Sequence, residues 1–145
     1  MRILIQRVKK AKVDVDNKTI GEINSGLLVF LGIKKEDDLE SAIYLKHKLV
    51  NLRIFSDEND KMNLSIKDVK GEILVVSQFT LYGDCSKGRR PSFDKTEDPI
   101  LAKKLYEEFI DLLKKDIPVK TGIFGAKMEV FLINDGPLTF LIESK

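Results

Sequence analysis

The chain has 145 residues, 43% hydrophobic and 33% charged, which suits one globular domain with its own core and excludes a disordered chain. A formal net charge of +2 excludes a polycation, so any nucleic-acid contact has to come from local basic patches. The single cysteine, Cys85, excludes an intramolecular disulfide framework and a multi-cysteine zinc site.

Residues Met1 to Arg7 enter a strand pattern directly, with no signal-peptide core, and no apolar run approaches the roughly 20 residues a membrane helix needs. With a single cysteine as well, the expected compartment is intracellular and reducing. Ile3 and Ile5, then Val13 and Val15, alternate with polar residues and predict two half-buried strands separated by Lys9–Lys12. Asp16–Lys18 reads as a turn, Gly21 lies in a short extended piece, and Leu27–Ile33 is a continuous apolar run of strand length. Tight turns between these pieces imply an antiparallel start.

Asp37 and Asp38 supply acidic groups where a helix begins, and the spacing of Leu39, Ala42, Ile43, Leu49 and Val50 predicts an amphipathic helix over about 39–52. Leu52–Phe55 returns to strand character, and Asn63–Asp68 is short and ambiguous. The run Leu74–Tyr82 begins as a buried β-branched strand and is expected to continue as one while Ser77, Gln78, Thr80 and Tyr82 turn polar. Asp98–Pro99 caps a second helix whose buried stripe is Leu101, Leu105, Phe109, Leu112 and Leu113, and Pro118 enforces its stop. Two strands, 127–133 and 138–142, flank Asn134-Asp135-Gly136-Pro137. The predicted fold is one α/β domain over 1–145, of mostly antiparallel sheet (barrel-like or two-sheet), with two main helices.

The polar end of the 74–82 run, followed by a glycine-punctuated loop bearing Lys87, Arg89 and Arg90, is the candidate site. Ser77 or Thr80 could be a nucleophile, but a hydroxyl needs a base, and its neighbours in sequence are Gln78, Tyr82 and Asp84. Ordinary strand hydroxyls bonded to backbone are the competing reading. Gln78 cannot serve as a base, although its amide can donate to an oxyanion. His47, the single histidine, falls inside the first helix and reads as a helix residue without catalytic duty. Cys85 in its basic loop could be a thiol nucleophile or incidental. Ligand spacing for a metal is absent, as are the glycine fingerprints of nucleotide-binding loops, so neither metal nor cofactor is expected. Gly136–Pro137 reads either as a hairpin turn or as a cis peptide with both carbonyls on one side, open to a ligand.

Ser77-Gln78-Phe79-Thr80-Leu81, and about fifty positions later Asn134-Asp135-Gly136-Pro137-Leu138-Thr139, resemble the D-aminoacyl-tRNA deacylase family. Met1–Val8 and Gly88–Phe93 share that pattern, so the likeness runs from residue 1 to 142; Leu138 departs from it, since many members carry valine there. The resemblance implies a homodimeric, cytoplasmic editing hydrolase that removes D-amino acids from tRNA, and glycine mischarged on alanine tRNA. Gly136 and Pro137 would reach into the partner's pocket and exclude an L side chain, with Arg7 holding their loop. Ser77, Gln78, Phe79 and Thr80 would line the pocket, the substrate's ribose 2′-hydroxyl would assist hydrolysis, and the Phe79 N–H would stabilise the oxyanion. Lys87, Arg89 and Arg90 would meet acceptor-stem phosphates. The partners implied are the acceptor end of aminoacyl-tRNA and a second copy, with no DNA and no membrane. A non-catalytic RNA-end-binding module and a thiol hydrolase using Cys85 stand as the alternatives.

Overall fold

One long strand organises the sheet. The computed structural model describes residues 1–145. In chain order the elements are β1 (Arg2–Val15), β2 (Lys18–Ile23), β3 (Gly26–Gly32), α1 (Leu39–Asn51), β4 (Phe55–Ser56), β5 (Met62–Leu64), β6 (Glu72–Ser77), a 3-10 turn (Phe79–Tyr82), α2 (Pro99–Lys114), β7 (Val119–Thr121) and β8 (Glu129–Glu143). Strand β1 is antiparallel to β2, β3 and β8. The main sheet has the order β2-β1-β3-β6-β7, with β8 also on β1, and β2 lies against β6 and β7. The sheet thereby curls into a nearly closed barrel. The β3–β6 and β6–β7 pairs are parallel; α1 and α2 are the crossovers that parallel neighbours require.

Burial follows from the pleat. Ile3, Ile5, Val29, Ile73 and Val75 face α1 and α2, where Leu45, Leu49, Phe109 and Leu113 complete the larger core cluster. Val8, Val13, Ile23, Leu28, Leu74 and Val76 face the other way and fill the inside of the curl. Having neighbours on both faces explains why Ile73–Val76 is an unbroken apolar run. Both helices begin as the sequence implies. The Asp38 carboxylate accepts the Ser41 N–H at 2.9 Å, and that of Asp98 accepts the Ile100 N–H at 2.9 Å. Asp37 instead accepts the Lys34 N–H at 2.8 Å.

Three expectations are corrected. Lys9–Lys12 does not separate two strands: β1 is continuous, and Val8 faces Asn134 while Lys10 faces Ile133, so Lys9 is an extra residue in a β-bulge. The bulge shifts the alternation, which is why two apolar patterns appear in the sequence. The 74–82 run is not one strand: β6 stops at Ser77, and the Leu81 N–H bonds the Gln78 carbonyl at 3.2 Å to form the 3-10 turn. Asn134–Pro137 is not a hairpin turn either. The segments on both sides pair with β1 in the same direction, so these residues interrupt a single strand, β8.

The 3-10 turn is tied to β1 and the end of β8 by a ring of polar contacts. The Arg2 guanidinium donates to the Leu81 carbonyl at 2.7 Å and to Glu143 at 2.9 Å, and lies 4.6 Å from the centre of the Tyr82 ring. The Tyr82 hydroxyl donates to the other Glu143 oxygen at 3.2 Å. The bond from Arg2 and the charge of that side chain hold the Glu143 carboxyl below its ordinary range, with Tyr82 and Lys34 assisting. Burial, ahead of the nearby Asp37 and Glu143 charges, pushes the Tyr82 phenol above its ordinary value.

A depressed carboxyl contributes stability that is fully present above its unfolded pKa and is lost as pH falls through its folded one. Glu143→Gln should therefore lower the melting temperature at neutral pH and bring it closer to that of the parent as the solution is acidified below about pH 4. Thermal melts of both proteins across that range check this; a difference independent of pH would show that the carboxylate charge is not what the ring uses.

Candidate functional site

The end of β6 is where buried backbone meets solvent. Ser77 pairs with Leu31 of β3, and the Gln78 N–H bonds the Leu31 carbonyl at 2.8 Å. The chain then folds under itself, because Gly32 leaves room for it. A Cβ on Gly32 would lie 3.0 Å from the Leu81 Cβ and 3.1 Å from the Gln78 carbonyl oxygen. Within the turn, the Gly83 N–H bonds the Thr80 carbonyl at 2.9 Å. The first N–H groups of such a turn have no acceptor inside it, so those of Phe79 and Thr80 are the donors available at the end of β6.

The side chains there are also arranged outward. The Gln78 amide donates to the Thr80 hydroxyl oxygen. An amide takes no proton at neutral pH, so this partner does not activate Thr80 as a nucleophile. Phe79 is 57% exposed and packs edge-to-face on Phe93, with ring centres 5.0 Å apart. Phe93 follows the loop that carries the basic cluster. That loop is closed by reciprocal backbone bonds between Asp84 and Ser92 at 2.8 and 2.9 Å, and Lys87, Arg89 and Arg90 are exposed on it. Cys85 is exposed in the same loop, and His47 is exposed on α1.

The second half of the candidate site is the interruption in β8. Gly136 and Pro137 are both exposed, and the bond between them is cis. Gly136 has φ +140°, a conformation that side-chain-bearing residues avoid. Arg7, 12% exposed at its side chain, donates its Nε to the Asp135 carbonyl at 3.1 Å and stands 3.3 Å from the Asp135 carboxylate. Its guanidinium also donates to the Ile54 carbonyl. Arg7 is thus bonded on one side to the chain after α1 and on the other to the residue before Gly136.

The structure brings Gln78, Phe79 and Thr80 together, and Arg7 with Asp135–Gly136. Within one chain, no hydrogen bond joins those two groups. Two clefts, of about 290 and 550 Å³, border α2 and residues 121–125, where Tyr106, Phe124 and Gly125 are among the walls. Their lining does not include Ser77–Thr80, but they connect to β6: the Tyr106 hydroxyl and the Gly122 N–H both donate to the Val75 carbonyl, at 3.1 and 3.2 Å. Sequence reasoning missed Arg2 and Phe93 as neighbours of the turn. Their contacts are long-range, and the one usable signal was an arginine placed against an otherwise apolar strand start.

A profile of the D-Tyr-tRNA(Tyr) deacylase family matches residues 4–143. The D-aminoacyl-tRNA deacylase of Thermosipho africanus (strain TCF52B) is 60% identical over 146 residues, spanning 100% of this chain and 98% of that one. The D-aminoacyl-tRNA deacylase of Thermodesulfovibrio yellowstonii is 59% identical and spans 100% of both. A solved structure described as a c-Myc DNA unwinding element binding protein superimposes with a TM-score of 0.95 at 39% identity, covering 100% of this chain and 99% of that one. A probable eukaryotic D-amino acid tRNA deacylase, with a TM-score of 0.81 at 19% identity over 98% of each chain, shares the fold. With the match running from residue 4 to 143 and these relatives aligned end to end, the chain belongs to the D-Tyr-tRNA(Tyr) deacylase family.

Proposed function

We propose that this protein is an aminoacyl-tRNA editing hydrolase that cleaves the ester between a D-amino acid and the terminal adenosine of tRNA, acting in the cytoplasm as a homodimer. The observation that carries the reading is family membership across nearly the whole chain, which includes both the turn after β6 and the Gly136–Pro137 interruption. In this reading Gln78, Phe79 and Thr80 hold the ester, and Ser77 completes the pocket wall. The ribose 2′-hydroxyl of the substrate assists the attack of water on the ester carbonyl. The carbonyl oxygen takes up negative charge beside the Phe79 N–H, the bond to the 3′-oxygen breaks, and that oxygen leaves with a proton. Positioning and an oxyanion donor then supply the rate without a side-chain nucleophile. The bonding of the Thr80 hydroxyl to an amide supports this division of labour.

Selectivity in this reading belongs to Gly136 and Pro137 of the other subunit. They form a wall where an L side chain would point, and Arg7 keeps that wall in place. Rejection by steric exclusion leaves glycine free to enter, so glycine mischarged on alanine tRNA is a second substrate. The dimer is supported by β8 itself. Phe131, Leu132, Ile133, Phe140 and Leu141 are between 36% and 57% exposed along it, an apolar band of the kind that marks an interface. Lys87, Arg89 and Arg90 would neutralise acceptor-stem phosphates, which makes binding salt-dependent.

A second reading, a nucleic-acid end-binding module without catalysis, is favoured by one observation: a relative 39% identical in sequence is described as binding a DNA element. The assay that separates the two follows release of a D-amino acid and its L enantiomer from the same tRNA, with duplex DNA as competitor. Release of the D form alone, undiminished by DNA, is the expected result. Equal rates, or no release with tight DNA binding, would defeat the editing reading.

Two substitutions test the chemistry. Thr80→Ala should lower turnover by about ten- to a hundredfold by loosening the pocket, without abolishing it, and no acyl-enzyme should be trapped by rapid acid quench. Cys85→Ser should retain activity close to that of the parent; a dead Cys85→Ser protein would revive the thiol mechanism.

A further inference from the structure

The interruption in β8 has a register problem that one side chain solves. Gln6 of β1 faces Thr139, and the next pair, Val8, faces Asn134. Between these pairs β1 contributes Arg7 alone, while β8 contributes Asp135, Gly136, Pro137 and Leu138. Those four residues cannot all find ladder partners on β1. Leu138 is the acute case, because it is only 9% exposed and a buried peptide has to be bonded.

Asn134 takes the place of the missing strand. Its Oδ1 accepts the Leu138 N–H at 2.7 Å, and its Nδ2 donates to the Leu138 carbonyl at 3.2 Å. The same Nδ2 lies 3.5 Å from the Thr139 hydroxyl, which in turn accepts from the Gln6 amide at 3.2 Å. A side-chain amide carries one acceptor and donor hydrogens in the arrangement of a peptide group, so Asn134 pairs with Leu138 as a neighbouring strand would. The bond spans four residues and closes the base of the Gly136–Pro137 projection. Arg7 holds the limb before Gly136, through the Asp135 carbonyl. Asn134 holds the limb after Pro137.

We propose that Asn134 is a positioning residue for stereochemical selection: its amide, bonded to both polar groups of the Leu138 backbone, sets how far Gly136–Pro137 projects and so where the wall stands. The inference rests on the proposed role of Gly136–Pro137 as that wall. Aspartate at this position keeps an acceptor but sets negative charge against the Leu138 carbonyl, and alanine keeps neither group.

The test uses the full-length protein with D- and L-aminoacyl-tRNA as probes. Asn134→Asp and Asn134→Ala should fold and melt cooperatively, and should lose between about tenfold and a hundredfold in the ratio of D to L release. Folded variants with the parental ratio would overturn the proposal, since a residue that only adds stability would leave selectivity unmoved. Amide hydrogen exchange of Leu138 in the unaltered protein gives an independent reading. Slow exchange is expected, and exchange as fast as at the exposed Gly88 would also overturn it. Should the unaltered protein itself make no distinction between enantiomers, the proposed function fails, while the exchange measurement still decides whether the Asn134–Leu138 pairing exists.

Discussion

The pairing of β1 with β8 is the constraint on which the rest of this structure depends. Strand β1 carries antiparallel partners along its whole length, so β8 can neither slide along it nor leave it. Sliding by one residue would reverse the inward and outward side chains of β8, turning Leu138 and Ile142 away from the core they pack against. With both ends of the pairing set, the surplus residues of β8 have to leave the plane of the sheet, and they do so at Gly136–Pro137. The same strand supplies both arginines that fix the two halves of the candidate site. Arg2 bonds the carbonyl of Leu81 in the 3-10 turn, and Arg7 bonds the carbonyl just before Gly136.

That arrangement explains how a protein without a base beside its hydroxyls can be read as a hydrolase. Its polar groups at the end of β6 are amides, hydroxyls and backbone N–H donors, suited to holding an ester and stabilising charge on its carbonyl. In the proposed reading the rate depends on geometry, and the geometry depends on contacts that lie outside the site. The Tyr82–Glu143–Arg2 ring, the room left by Gly32 and the Phe79–Phe93 contact all bear on where the turn sits. The exposed apolar band lies on the same strand as the projection, where the proposed dimer would place its interface. A shared site is the economical reading of that coincidence.

Much of this was legible in the residues. The caps at Asp38 and Asp98, both helices and the apolar strand cores follow local rules and stand where periodicity puts them. The pair of motifs around Gln78 and Gly136 identified the family, and composition excluded a disulfide framework. What could not be read were features decided by distant partners. Two apolar patterns around Lys9–Lys12 look like two strands, because a bulge changes phase without leaving the strand. Asn-Asp-Gly-Pro has the composition of a hairpin turn, and only the length of β1 reveals that both flanks belong to one strand. The polar residues after Ser77 keep strand-like composition, while the end of β6 is set by the Leu31–Gln78 bond and by the space at Gly32. Strand β7 is three residues long, too short to announce itself before the sheet that holds it exists.

The central claim, that one subunit's turn works with the other subunit's Gly136–Pro137, is tested most directly by mixing two defective proteins. One carries substitutions at Gln78 and Thr80 with an intact projection; the other carries an altered Gly136–Pro137 with an intact turn. Each should be inactive or unselective alone. A mixed dimer joins the intact turn of one chain to the intact projection of the other, so D-selective release should return at one of its two sites. If mixing and re-equilibrating the subunits restores no D-selective release, the turn and the projection do not act across the dimer.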